Sequence, residues 1–330
     1  APVFFGAVTV IPVYLIAKKF TDRWVALLSA FSLALFGGQW LTRTTFANVQ
    51  HQSAEAFFVA VAVLGFVVAV ERAYSEKPTV AHLKDFDLKP FSGALLGAVG
   101  LALYLLTWPP SVYITVPLGL FVVIQMVRDH LNGRSTEYLG LTSFFVFTLS
   151  AIPFLVYTLL LGQLDTVSGT TFSVLQPAVL FMTGVGSLLL YFISSYLRKD
   201  EQSKGAFPAV VVALFVVGFV FLWFTGFISL FENLVGRMYS FGALTPEGAL
   251  TVAEIQPPDL TDSVEEFGLL VVVAGAGLLF LLVDVVRENS PAKMAVLFWS
   301  ANMFSAYFTQ ARFGYYLAVA SAILVAYAVY

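Results

Sequence analysis

Apolar runs of helix length follow one another down this chain, and the positive charges fall between them on alternate sides. Eleven such runs can be read, at 1–17, 24–41, 53–71, 91–107, 110–127, 138–161, 173–196, 207–231, 266–286, 292–309 and 313–330. Each has about 17–25 residues, the helix length that crosses roughly 30 Å of hydrocarbon. With odd runs entering from one side, fourteen of the seventeen Lys and Arg land in loops on the other: Lys18, Lys19, Arg23, Arg72, Lys77, Lys84, Lys89, Arg128, Arg134, Arg198, Lys199, Lys204, Arg287 and Lys293. Arg43, Arg237 and Arg312 fall on the opposite side. Short cytoplasmic loops collect Lys and Arg, so the basic side is expected in the cytoplasm. The expected fold is an all-α membrane protein, a polytopic bundle of about 11 transmembrane helices. A barrel is excluded, because barrel strands alternate apolar and polar residues and these runs do not.

The charge pattern also narrows function. Only 11% of residues are charged, against roughly 25% in soluble domains. Acids outnumber the three outer bases, which argues against nucleic acid as a partner, since phosphate binding needs a basic surface. The chain has no Cys, hence no disulfide framework and no thiolate nucleophile or metal ligand. The middles of the runs carry almost no ionisable side chains. Proton- and sodium-coupled transporters place such groups at mid-membrane, so the chemistry is expected at the outer face. The first run is not a signal peptide, because no basic stretch precedes it. Ala1 and Tyr330 each lie inside an apolar run, and the chain reads as a piece of a longer protein.

Three outer segments differ from plain connectors: 42–55, 107–111 and 232–265. The last has no strong secondary-structure signal, and Pro246, Pro257 and Pro258 break any helix in it. Structureless loops of that length are usually functional or disordered.

Four stretches carry a family resemblance. Residues 7–25 (AVTVIPVYLIAKKFTDRWV), 42–57 (TRTTFANVQHQSAEAF), 251–258 (TVAEIQPP) and 310–318 (QARFGYYLA) resemble, in order and sidedness, the membrane domain of the catalytic subunit of oligosaccharyltransferase, especially its archaeal form. The second stretch is similar to the family's second acidic motif, the third to its Thr-Ile-x-Glu motif with Val for Ile, and the fourth to an Arg-Phe-x-x-Tyr segment. The resemblance implies a glycosyltransferase type C-like fold, with residues 1–330 as the transmembrane domain. It further implies a first helix and a first outer loop with Asp-x-Asp before Ala1, and a last helix and a soluble domain with Trp-Trp-Asp-x-Gly after Tyr330. The activity implied is transfer of a glycan from a polyprenyl phosphate or diphosphate to Asn in Asn-x-Ser/Thr of an acceptor polypeptide, at the outer face of the cell membrane, with Mn²⁺ or Mg²⁺. The alternatives are another lipid-phosphosugar glycosyltransferase, or a lipid-linked glycan flippase or transporter. A transporter should show related halves or a polar midplane site, and neither stands out.

The resemblance assigns roles residue by residue. Glu254, with Thr251, falls in the acceptor motif. A carboxylate that accepts a hydrogen bond from the Asn amide holds that poor nucleophile in its reactive pose; otherwise it is one loop acid among several. Arg312 would clamp the donor diphosphate through its planar fork, or else snorkel at the interface. Arg237 and Arg43 would assist it, and Trp108, in the turn Thr107–Pro110, would meet the lipid carrier. Gln50 and Gln52 stand where the family places metal ligands, usually an acid and then an acid or His, with His51 between them. A Gln carbonyl ligates a hard cation without bringing charge. Glu55, one helical turn on, is the compensating candidate; its plainer reading is a carboxylate at a helix start.

Overall fold

The computed structural model describes residues 2–46, 51–199, 203–226 and 256–330. Every regular element among them is helical: α1 (Pro2–Lys18), α2 (Arg23–Leu35), α3 (Gly38–Thr44), α4 (Gln52–Glu76), α5 (Val80–Lys84), α6 (Ser92–Thr107), α7 (Thr115–Leu131), α8 (Glu137–Leu160), α9 (Leu175–Lys199), α10 (Ala206–Phe224), α11 (Leu260–Phe267), α12 (Leu270–Arg287), α13 (Pro291–Thr309) and α14 (Gly314–Ala328). Short 3-10 helices at Pro109–Ile114 and Ala311–Phe313 lead into α7 and α14.

By length and composition, eight described helices can cross a membrane, or nine if the bent pair α2–α3 counts as one span. The count of about eleven is therefore not reproduced, although each expected run holds a helix. α1 has 17 residues. α13 is long enough, but Lys293, Ser300, Asn302 and Ser305 lower its hydropathy. The expected span 24–41 is broken: Gly38 has φ +55° and α3 leaves α2 at 77°. The span expected from 266 starts only at Leu270, because α11 ends on Gly268 at φ +65°. Many bulky apolar side chains of α10 point outward, among them Phe215, Phe219 and Trp223, and only Phe207 and Val211 of that helix are buried. Hydrocarbon, not water, is the medium for such a surface. The chain is a multi-pass membrane protein.

Two compact units divide it. One comprises Ala1–Val67 and Gly236–Tyr330, the other Val68–Val235. In the first, α14 is the central post. From Gly314 to Tyr327 every residue is buried, and small side chains let neighbours close in. A Cβ on Gly277 of α12 would stand 2.0 Å from the carbonyl oxygen of Leu324, so this crossing needs glycine. Helix starts are fixed locally: Asp22 accepts from the amides of Trp24 and Val25 at 2.7 and 3.0 Å. Asp259 and Asp262 cap α11 reciprocally at 2.7 and 3.0 Å, the arrangement that satisfies two orphan amides at once.

In the second unit α8 and α9 pack tightly, and a Cβ on Gly140 would meet that of Tyr191 at 2.5 Å. A buried polar group, Asp129, accepts from Gln125 Nε2 at 3.0 Å and from the Tyr138 hydroxyl at 2.9 Å. A carboxylate removed from water needs such partners.

Candidate active site

Three of the sequence candidates, Arg43, His51 and Glu55, interact within the first unit, where α3 ends and α4 begins against the start of α14. Glu55 sits in the first turn of α4 and is fully buried. Its Oε2 accepts hydrogen bonds from Tyr315 at 2.8 Å and Tyr316 at 2.5 Å. Those two rings lie tilted against each other with centroids 4.3 Å apart. Its Oε1 lies 2.9 Å from His51 Nε2. This contact, with the charge of Glu55, raises the His51 pKa against the opposing effects of burial and of Arg43. His51 is otherwise exposed. Arg43 is nearly buried and donates from Nε to Gln39 Oε1 at 3.3 Å.

Arg312 lies in the 3-10 turn that opens α14, partly buried, with its guanidinium 5.1 Å from the centre of the Phe313 ring. Its chain neighbour is fixed from outside the helix, since the Ala311 amide donates to the carbonyl of Gln256 at 3.0 Å. Gln256 stands two residues after Glu254. The turn with Arg312 and the segment that follows the Thr251–Glu254 motif are thus joined by a backbone bond. Glu254, Thr251, Arg237 and Gln50 themselves lie outside the described residues. Trp108 belongs to the other unit, where it ends α6 and meets the Tyr113 ring edge-on at 6.4 Å.

The described residues do not fit a divalent cation. Gln52 offers one buried amide oxygen, which has no hydrogen-bond partner among the described residues. Glu55 gives Oε2 to two tyrosines, and its buried Oε1 has the ionic contact with His51 in place of a hydrogen bond. Among the described residues no three His, Cys, Asp or Glu side chains cluster as a metal site. A hard cation draws on anionic oxygens, and here the nearest carboxylate is committed elsewhere.

Sequence reasoning missed Tyr315 and Tyr316 as partners of Glu55, and missed Glu266. The Glu266 carboxylate accepts from the Gln39 amide at 2.9 Å and from the Tyr307 hydroxyl at 3.1 Å. Burial pushes its pKa up, and those two bonds pull it back. The available signal was Gly37-Gly38 inside an apolar run, a pair that marks a break.

The profile of the family described as "Oligosaccharyl transferase STT3, N-terminal" matches residues 1–328. The chain belongs to that family. A relative from Haloferax volcanii, "Dolichyl-monophosphooligosaccharide--protein glycotransferase AglB", is 29% identical over 99% of this chain and 38% of its own length. Among solved structures, archaeal oligosaccharyltransferase AglB from Archaeoglobus fulgidus, in complex with an inhibitory peptide and a dolichol-phosphate, superposes with a TM-score of 0.84 at 26% identity, covering 99% of this chain and 38% of that one. The Archaeoglobus fulgidus oligosaccharyltransferase tethered to an acceptor peptide containing the NVT sequon gives 0.82 at 25% identity, covering 99% and 37%. The STT3-family chain described here therefore spans under two-fifths of the length of these relatives.

Proposed function

We propose that the full-length protein is an oligosaccharyltransferase, with residues 1–330 as its membrane domain and about eleven spans placing the site at the extracytoplasmic face of the cell membrane. Membership of the STT3 family over residues 1–328 carries this reading. The two Archaeoglobus structures, with a dolichol-phosphate and with an NVT acceptor peptide, support a polyprenyl-phosphate glycan donor and an Asn-x-Ser/Thr acceptor. In the reaction, a bond forms between the Asn side-chain nitrogen and the anomeric carbon of the glycan. The bond from that carbon to the phosphate oxygen breaks with inversion, the polyprenyl phosphate leaves with the electron pair, and the amide nitrogen releases a proton.

The local geometry supports a division of labour. Glu254 is two residues up the chain from Gln256, at most about 7 Å in Cα distance, and Gln256 is bonded to Ala311 beside Arg312. Glu254, with Thr251, then holds the acceptor amide while Arg312 faces the donor phosphate. Arg43 and Arg237 are secondary donor contacts. Glu55 organises the start of α4 through its tyrosines. A cation of the Mn²⁺ or Mg²⁺ kind would have to take its negative ligands from residues other than 51–55, and no step is assigned to it.

The test is Arg312→Lys and Arg312→Ala in the full-length protein. Lysine keeps charge and loses the bidentate fork, so donor KM rises for Lys and further for Ala, while acceptor KM changes less. Unchanged donor kinetics in a folded Arg312→Ala protein would make Arg312 an interfacial anchor instead.

A further inference from the structure

We propose that Glu266 is a positioning residue, which fastens the arm 256–267 onto the break between α2 and α3 and so holds Gln256 against Ala311, next to Arg312. Three observations converge on it. Both carboxylate oxygens are engaged by different elements, Oε1 by the backbone amide of Gln39 just past the break and Oε2 by Tyr307 near the end of α13. Glycines make the room. A Cβ on Gly38 would stand 2.1 Å from Glu266 Cγ, and one on Gly314 would stand 2.8 Å from its Oε1. Phe267, buried beside it, adds an apolar anchor against the rings of Phe36 and Tyr307, with centroids 6.0 and 5.4 Å away.

The far end of the arm is held by the Gln256–Ala311 backbone bond. Between the two ends the chain is stiff. Pro257 and Pro258 have fixed φ, and α11 follows at once with its reciprocal Asp259–Asp262 cap. A fixed strut transmits a displacement that a flexible loop would absorb. Glu266 also reaches Arg43, because the Gln39 that donates to it accepts from Arg43 Nε. Through Gln39 the carboxylate is linked to Arg43, whereas Arg312 keeps its own turn at the start of α14, so loss of Glu266 releases the arm and the Glu254 that precedes it rather than the Arg312 turn.

The first test does not need turnover. In full-length protein in lipid nanodiscs, Glu266→Ala should speed hydrogen exchange at the Gln39 and Ala311 amides by at least about 10-fold, with α12 unchanged. Glu266→Gln keeps an acceptor for Gln39 and places an NH₂ group toward the Tyr307 oxygen, so it should return most of the protection. If Glu266→Ala does not fold, Glu266→Asp, one methylene short of Gln39, should show the same acceleration in smaller measure. Wild-type exchange at Ala311 in these variants, or equal acceleration throughout the unit, overturns the proposal.

The kinetic consequence rests on the reading of Glu254 and Arg312 given above. Glu266→Ala should raise acceptor-peptide KM at least about 5-fold with donor KM within about 2-fold, and Glu266→Gln should restore it. The exchange result without any wild-type glycan transfer would uphold the strut and refute the transferase reading. Wild-type transfer with no split between acceptor and donor would refute the positioning role.

Discussion

Glu55 offers the most exacting test of how the site is built. Its carboxylate is fully buried and accepts from Tyr315 and Tyr316. A hydrogen bond to a charged acceptor is worth about 1.5–3 kcal/mol net, and a neutral one about 0.5–1.5. Glu55→Gln turns two charged bonds into neutral ones and leaves a single acceptor oxygen. That loses about 2–3 kcal/mol, partly offset because a buried charge is no longer taken from water. The expected net loss is about 1–2 kcal/mol. Glu55→Ala removes the acceptor of both hydroxyls and opens a cavity, for about 3–4 kcal/mol. The His51 contact should matter far less, since His51 is exposed and such pairs contribute about 0.3–0.5 kcal/mol. Thermal unfolding of the full-length protein in nanodiscs should therefore rank Glu55→Ala well below Glu55→Gln, with His51→Ala close to wild type. The pair has a pH signature as well. Because the His51 pKa is raised in the folded state, its small contribution is present below the ordinary imidazole value of about 6.5. It is lost as pH rises through the folded pKa, and in Glu55→Gln that dependence should vanish. Wild-type unfolding of Glu55→Ala, or a larger loss from His51→Ala than from Glu55→Gln, would refute the reasoning.

Two further predictions use the absence of native Cysand the altered ligand positions. An impermeant thiol reagent on intact cells should label Thr261→Cys, exposed in α11, and spare Lys84→Cys, exposed at the end of α5; the reverse pattern overturns the sidedness taken from the Lys/Arg bias. Gln50→Asp should lower the Mn²⁺ or Mg²⁺ concentration needed for activity, because one carboxylate restores charge a hard cation prefers; an unchanged requirement removes residue 50 from the ligand set.

The spans were legible because bilayer thickness fixes a run length that local sequence can display, and because Lys and Arg mark one side. The bend at Gly37-Gly38 was not, since the apolar pattern runs through it unbroken. Only a carboxylate more than two hundred positions away, Glu266, closes on the exposed Gln39 amide. α11 was hidden in the same way. The two prolines before it read as loop, while its start depends on Asp259 and Asp262 capping one another. Arg312 stood out in the sequence as a cation left outside the cytoplasmic bias. The role of Glu55 was not, because nothing local to residue 55 points to Tyr315 and Tyr316. Long-range partnership of polar side chains is what one sequence conceals, and here it ties Glu55 to Tyr315 and Tyr316.

The central claim is glycan transfer to asparagine, and the direct measurement is mass spectrometry of an acceptor peptide incubated with full-length protein, a polyprenyl-phosphate glycan donor and divalent cation. The account predicts a glycan mass added to Asn in Asn-x-Thr and none on a Gln-x-Thr control. It predicts a loss of at least about 10-fold in Glu254→Gln, equivalent to about 1.4 kcal/mol of transition-state stabilisation. A folded wild-type protein that adds no glycan under these conditions, or adds it equally to the Gln-x-Thr control, would contradict it.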